Sequence, residues 1–207
     1  RVLLRMPLVV LLIVAAIAFQ AREELAPGQI GVWASLVMLI ELVRAYFALG
    51  LLNGRFDPRG AHVHRTLILL AGIAGFSVGI SAIWFFPYLP PEKRALLALI
   101  YFSMSAGGVA VSASSQAILS AYSISMMAPA TLGWALVHPS QAMTIFVLAS
   151  LYCVFLIVLA GDGERLLRRS ILIRQERDRV VRDLEQRNVE VQGARAAAEH
   201  SANARAR

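Results

Sequence analysis

Glu41 and Arg44 are the residues best placed to do chemistry, because they interrupt an otherwise apolar run at a spacing of three. On an α-helix that spacing puts both side chains on one face, one turn apart. An ionised side chain near the bilayer centre costs about 2.5 to 3.5 kcal/mol on insertion scales, so neither charge is expected to face lipid. Two arrangements meet that demand. One is a mutually neutralised structural pair, with Arg44 reaching toward the inner headgroups; the other is an intramembrane site in which Glu41 feels a ligand or a proton.

A second concentration of polar groups follows. Ser103, Ser105, Gly107, Gly108, Ser112, Ser114 and Ser115 give one apolar segment small and hydroxylated positions, and Ser120, Ser123, Ser125, Met126, Met127, Pro129 and Thr131 extend the pattern into the next. Such residues allow close helix approach and interhelical hydrogen bonds, or line a cavity for an amphipathic ligand. Pro129 is expected to kink its helix and free a carbonyl. His138, beside Pro139, is a turn residue that could titrate. The ligand-sensing candidates are therefore Glu41, Arg44, Ser105, Ser112, Met126, Met127, Pro129 and His138.

Other reactive residue types lack the company they need. His62 and His64 alternate without a Cys or carboxylate pattern, so no metal site is expected there. His200 has no acidic neighbour after it and is not a phosphoacceptor candidate; Cys153, the lone cysteine, has no partner for a disulfide and reads as filler. No phosphate-cradling Gly-rich loop, nucleophile elbow or metal-binding helix motif occurs, so no catalytic residue, metal or cofactor is expected within the chain.

These residues sit in a membrane protein. Hydrophobic residues make up 58% of the chain, against about 45 to 50% in soluble domains, and the mean hydropathy is +0.65. The net charge of +7 raises a nucleic-acid reading, but the basic residues lie in loops and the tail, where they set topology and touch anionic lipid. Nucleic acid is not an expected partner; the lipid bilayer is.

Apolar runs punctuated by Gly, Pro and charge predict an all-α membrane protein with six transmembrane helices at about 3–19, 30–52, 67–86, 95–115, 118–137 and 142–160, forming a domain over 1–161. The first run also fits a signal peptide; the retained helix is the reading followed here. Only Ser114, Ser115 and Gln116 mark the break between the fourth and fifth runs, but more than sixty uncharged residues cannot be one helix across a core that takes roughly twenty. Counting basic residues near span ends puts Arg1, Arg5, Arg55, Arg59, Arg65, Arg165, Arg168 and Arg169 on one side, expected to be cytoplasmic, with Arg22, Lys93 and Arg94 opposite. Both termini then face the cytoplasm, and Trp33, Trp84 and Trp134 fall at the outer interface, where indoles prefer to sit.

Residues 162–207 change character, becoming rich in Arg, Glu, Ala and Gln with sparse apolar positions, a composition that favours a long exposed helix. Ile173, Arg177, Val180, Leu184, Arg187, Val191, Ala194 and Ala198 follow a heptad seam; Val181, Leu184, Asn188, Val191, Arg195 and Ala198 form a second register, with Asn188 a polar seam residue. The seam positions Val180, Leu184, Asn188, Val191 and Ala198 ask for a second copy of the helix, hence a homodimeric cytoplasmic coiled coil; a single exposed helix is the alternative. Asp178 and Arg182 are spaced for a pair one turn apart.

The tail carries a resemblance. Glu-Arg-Leu-Leu-Arg-Arg-Ser-Ile from Glu164, Leu-Glu-Gln-Arg-Asn-Val-Glu-Val from Leu184, and the Ala/Arg-rich run from Ala194 resemble the signalling helix that joins a polytopic membrane module to a bacterial sensor histidine kinase, often a hybrid one. The small-residue fourth span and Met-Ala-Pro-Ala at Met127 to Ala130 resemble the input modules of the same proteins. What the resemblance implies is a two-component receptor of the bacterial inner membrane, trimmed before the phosphoacceptor domain. Its further domains would use ATP and Mg and pass phosphate to a response regulator, under control of an unknown small-molecule or lipid-like stimulus. A diguanylate cyclase with the same input module, and a small transporter or channel, are the competing readings.

Overall fold

A computed structural model describes residues 6–56, 60–111 and 115–205. Among them there is no strand. Six α-helices follow one another as α1 (Met6–Ala21), α2 (Pro27–Leu52), α3 (Ala61–Phe85), α4 (Pro91–Val111), α5 (Gln116–Val137) and α6 (Ala142–Arg205), with a 3-10 turn at Pro139–Gln141 before α6.

The punctuation residues explain the boundaries. Pro27 and Pro91 open α2 and α4, where the missing N–H has no intrahelical partner to lose. Asn53 and Gly54 close α2, with Gly54 at φ 68, a left-handed conformation that suits glycine. Ser115 caps α5, accepting from the Ile118 amide. α3 begins at Ala61, ahead of the apolar run expected from residue 67.

Three helices, α2, α3 and α6, are long and apolar enough to cross a membrane, and the stretch Val10–Ala21 is apolar but shorter. α4 opens on Glu92, Lys93 and Arg94, and serines dilute the apolar character of both α4 and α5.

The chain divides into two compact units, Arg1–Glu164 and Arg165–Arg207. In the first, the closest helix approach is between α3 and α5. A Cβ added at Gly75 or Gly79 would collide with the carbonyl oxygens of Tyr122 and Met126, and one at Gly133 would lie 2.6 Å from the carbonyl carbon of Ala82. Backbones this near exclude any side chain, which is what small-xxx-small spacing permits. By contrast, a Cβ at Gly107 of α4 would meet nothing within 4 Å; the tightest seam does not run through the serine-rich fourth helix.

One end of the bundle is aromatic. Trp33 is 1% exposed, donates its indole N–H to the Ser77 carbonyl at 2.9 Å and meets Phe85 edge-on at 5.3 Å. Phe86 packs against Tyr101 and Trp134, and the Tyr101 hydroxyl pairs with Ser81 Oγ at 2.7 Å. Trp33 is thus a core residue whose N–H is satisfied inside the protein. Trp84, 37% exposed, is the indole open to the surroundings.

The second unit is helical as far as Arg205. Ile173, Val180, Val181 and Leu184 are all exposed, as is Asn188; the side chains of Val191 and Ala198 lie outside the described ones. The Asp178 carboxylate pairs with its neighbour Arg177 at 3.2 Å, while Arg182 donates to the Asp178 backbone carbonyl instead of the expected side chain. Exposed pairs are worth so little that local geometry decides among partners.

Candidate functional site

The spacing of Glu41 and Arg44 delivers the contact it predicts on one face of α2. Arg44 Nη1 donates to Glu41 Oε1 at 2.6 Å, a short charge-assisted bond, with the Glu41 side chain 4% exposed and that of Arg44 23%. Beside them, α1, α4 and α5 leave a cavity of about 570 Å³ into which Arg44, Ser103, Gly107 and Tyr122 open.

The other candidates are spread along the bundle. Ser105 is fully buried and its hydroxyl has no partner among the described residues; Ser123 of α5 shares that state. Hydroxyls inside helices ordinarily bond back to a carbonyl one turn earlier, as Ser77, Ser81, Ser120 and Thr131 do here. Met126 and Pro129 pack against α3 at Gly79. Met127 borders a wide apolar groove of about 840 Å³ between α5 and α6. Ser112 lies outside the described residues. His138 ends α5, sixteen residues beyond Tyr122 and so about 24 Å away along the helix axis. There its Nε2 accepts from Arg94 Nη1 at 3.1 Å, which requires a neutral ring. The structure therefore brings Glu41 and Arg44 together, with Arg44 and Tyr122 lining one cavity, and holds His138 apart from them.

Two polar clasps tie the helices together. At the aromatic end, Lys93 Nζ donates to Glu23 Oε2 at 2.7 Å and to Glu24 Oε1 at 3.4 Å. The hydrogen bond from Lys93 holds the Glu23 carboxyl below its ordinary value, and the same bond raises the Lys93 ammonium. This contact acts above the ordinary carboxylate range, fades as pH falls through the lowered Glu23 value, and is lost at alkaline pH only past the raised Lys93 value.

At the other end, the Glu164 carboxylate accepts from the Gln116 backbone N–H at 2.9 Å, and the Gln116 side chain donates to the Ile157 carbonyl of α6 at 3.2 Å. A carboxylate at a helix N-terminus satisfies an orphan N–H and complements the positive end of the dipole. Nearby, a Cβ at Gly161 would crowd Gln116 at 3.2 Å, and the Tyr152 hydroxyl reaches the Phe102 carbonyl of α4. Replacing Glu164 by alanine removes that N-terminal acceptor, worth about 1 kcal/mol. Hydrogen exchange at the first amides of α5 is expected to quicken roughly fivefold, read by mass spectrometry; unchanged exchange would show that the clasp carries no load.

Among the described residues no group of three or more His, Cys, Asp or Glu side chains is gathered as a metal would need. No family model, curated protein or solved structure matches the chain.

Sequence reasoning passed over Tyr122, Gln116 and Glu164, whose partners lie on other helices, and it passed over Gly75-x3-Gly79, whose spacing is a signal of close helix packing.

Proposed function

We propose that the chain is the membrane input module of a bacterial sensor histidine kinase. In this reading its helices form six spans of the inner membrane with both ends cytoplasmic, and the tail pairs with that of a second copy as a coiled coil. The observation that carries the reading is α6, which begins on an apolar stretch and continues to Arg205 with Ile173, Val180, Val181 and Leu184 exposed. A charged helix gains nothing from exposed Val and Leu unless another helix covers them. Further support comes from Glu164 and Gln116, which fasten α6 to the start of α5. A change of bundle arrangement is thereby felt by the helix that leads to the tail.

A stimulus shifts such a module only by binding one arrangement better than the other. The output is autophosphorylation by ATP-binding and phosphoacceptor domains joined to the tail, followed by transfer to a response regulator. Fusing the chain to such domains from a known kinase, with zero to seven residues inserted after Val180, tests the relay. Each residue turns the seam by about 100°, so kinase activity is expected to rise and fall with helical period as the insertion grows. Activity independent of insertion length would overturn it.

A further inference from the structure

The cavity beside Arg44 has a chemistry of its own. Ile13 of α1, Leu99 of α4 and Ile118 of α5 give it hydrocarbon walls, and the lining residues that carry polar groups are Arg44, Ser103 and Tyr122. Its 570 Å³ falls within the range of about 300 to 1,000 Å³ typical of small-molecule sites. Of the charged pair, Glu41 is the buried partner and Arg44 the one that borders the cavity. Glu41 accepts from a single guanidinium nitrogen, Nη1, whereas a guanidinium carries five N–H donors in a fork matched to carboxylate. Donors of that fork beyond Nη1 are not used by Glu41, and Arg44 lines a largely apolar space.

We propose that this cavity binds a long-chain fatty acid, its carboxylate on Arg44 beside the Tyr122 hydroxyl and its chain along α1 and α4. Depth selects this occupant over a membrane phospholipid. Arg44 stands eight residues inside the Leu52 end of α2, about 12 Å at 1.5 Å per residue, and with the roughly 39 Å of α2 centred on the core this is about 7 Å below the core edge. A phospholipid phosphate stays at the edge of a hydrocarbon core about 30 Å thick, while a single-chain acid can sink to meet a buried cation. The proposal deepens the sensory reading above by giving it a ligand class, but its test reads binding alone, so either can fail without the other.

The protein in phosphatidylcholine nanodiscs at mildly alkaline pH is titrated with tritiated palmitate, with unlabelled palmitate and methyl palmitate as competitors. Saturable binding is expected, with the ester weaker by about tenfold or more, the loss of one charge-assisted pair. Gly107→Leu, whose side chain enters the cavity from a position open to it, and the neutral double variant Glu41→Gln/Arg44→Gln are each expected to lose about tenfold in affinity. The proposal is overturned by the absence of saturable binding, by equal competition from the ester, which would mean a lipid chain filling space, or by unchanged binding in Gly107→Leu. Should the double variant fail to fold, the ester and Gly107→Leu still decide.

Discussion

Gly79→Leu is expected to destabilise the helical bundle by about 3 kcal/mol, at the upper end of what overpacking costs in a well-packed core. The reason is backbone, not side chain. A Cβ at position 79 meets the Met126 carbonyl oxygen and the Pro129 ring, and neither can rotate away, since one belongs to the α5 main chain and the other to a closed pyrrolidine. α3 and α5 must separate, and the buried faces that depend on their contact, Val78 and Ala82 against Met126 and Ala130, lose their packing together. Gly31→Ala is the matched control, because a Cβ there meets nothing within 4 Å and alanine in a helix gains about 0.5 to 1 kcal/mol over glycine. Thermal unfolding in detergent, followed by circular dichroism, should drop sharply for the first and hold or rise for the second.

Arg44→Ala carries the second large effect. It leaves the buried Glu41 carboxylate without its partner at 2.6 Å, and breaking a buried pair from one side costs about 3 to 5 kcal/mol. Removing both charges is different in kind. Glu41→Gln/Arg44→Gln keeps shape and hydrogen-bonding capacity while abolishing the buried charge, so its stability is expected to stay within about 1 kcal/mol of the parent. Chemical unfolding of the two variants side by side separates charge compensation from packing. Equal destabilisation would mean that the pair matters for volume alone.

Helices and their boundaries were legible because Pro27, Gly54, Pro91 and Pro139 punctuate runs whose apolar length admits little else. The contact of Glu41 with Arg44 was legible for the same local reason, a spacing of three on one helix. What crosses between helices was not. Tyr122 reads in isolation as an aromatic filler, and its nearness to Arg44 depends on how α5 rotates against α2. Gln116 and Glu164 are 48 residues apart, with no pattern linking them. The serines from Ser103 to Ser115 point to tight packing as strongly as Gly75-x3-Gly79 does, yet among the described residues it is Gly75 and Gly79 of α3 and Gly133 of α5 that meet a neighbouring backbone this closely, while Gly107 opens on a cavity. The partner of Trp33 was not legible either, since the Ser77 carbonyl that satisfies its N–H lies on another helix.

Cysteine cross-linking in native membranes tests the relay most directly. With Cys153 replaced by alanine, Leu184→Cys places a thiol on a residue shared by both seam registers, and Arg182→Cys places one off either seam. A covalent dimer forming rapidly from position 184 and slowly from 182 is the result expected of paired tail helices. Monomers from both positions, or equal dimer from each, would contradict the pairing on which the proposed signalling depends.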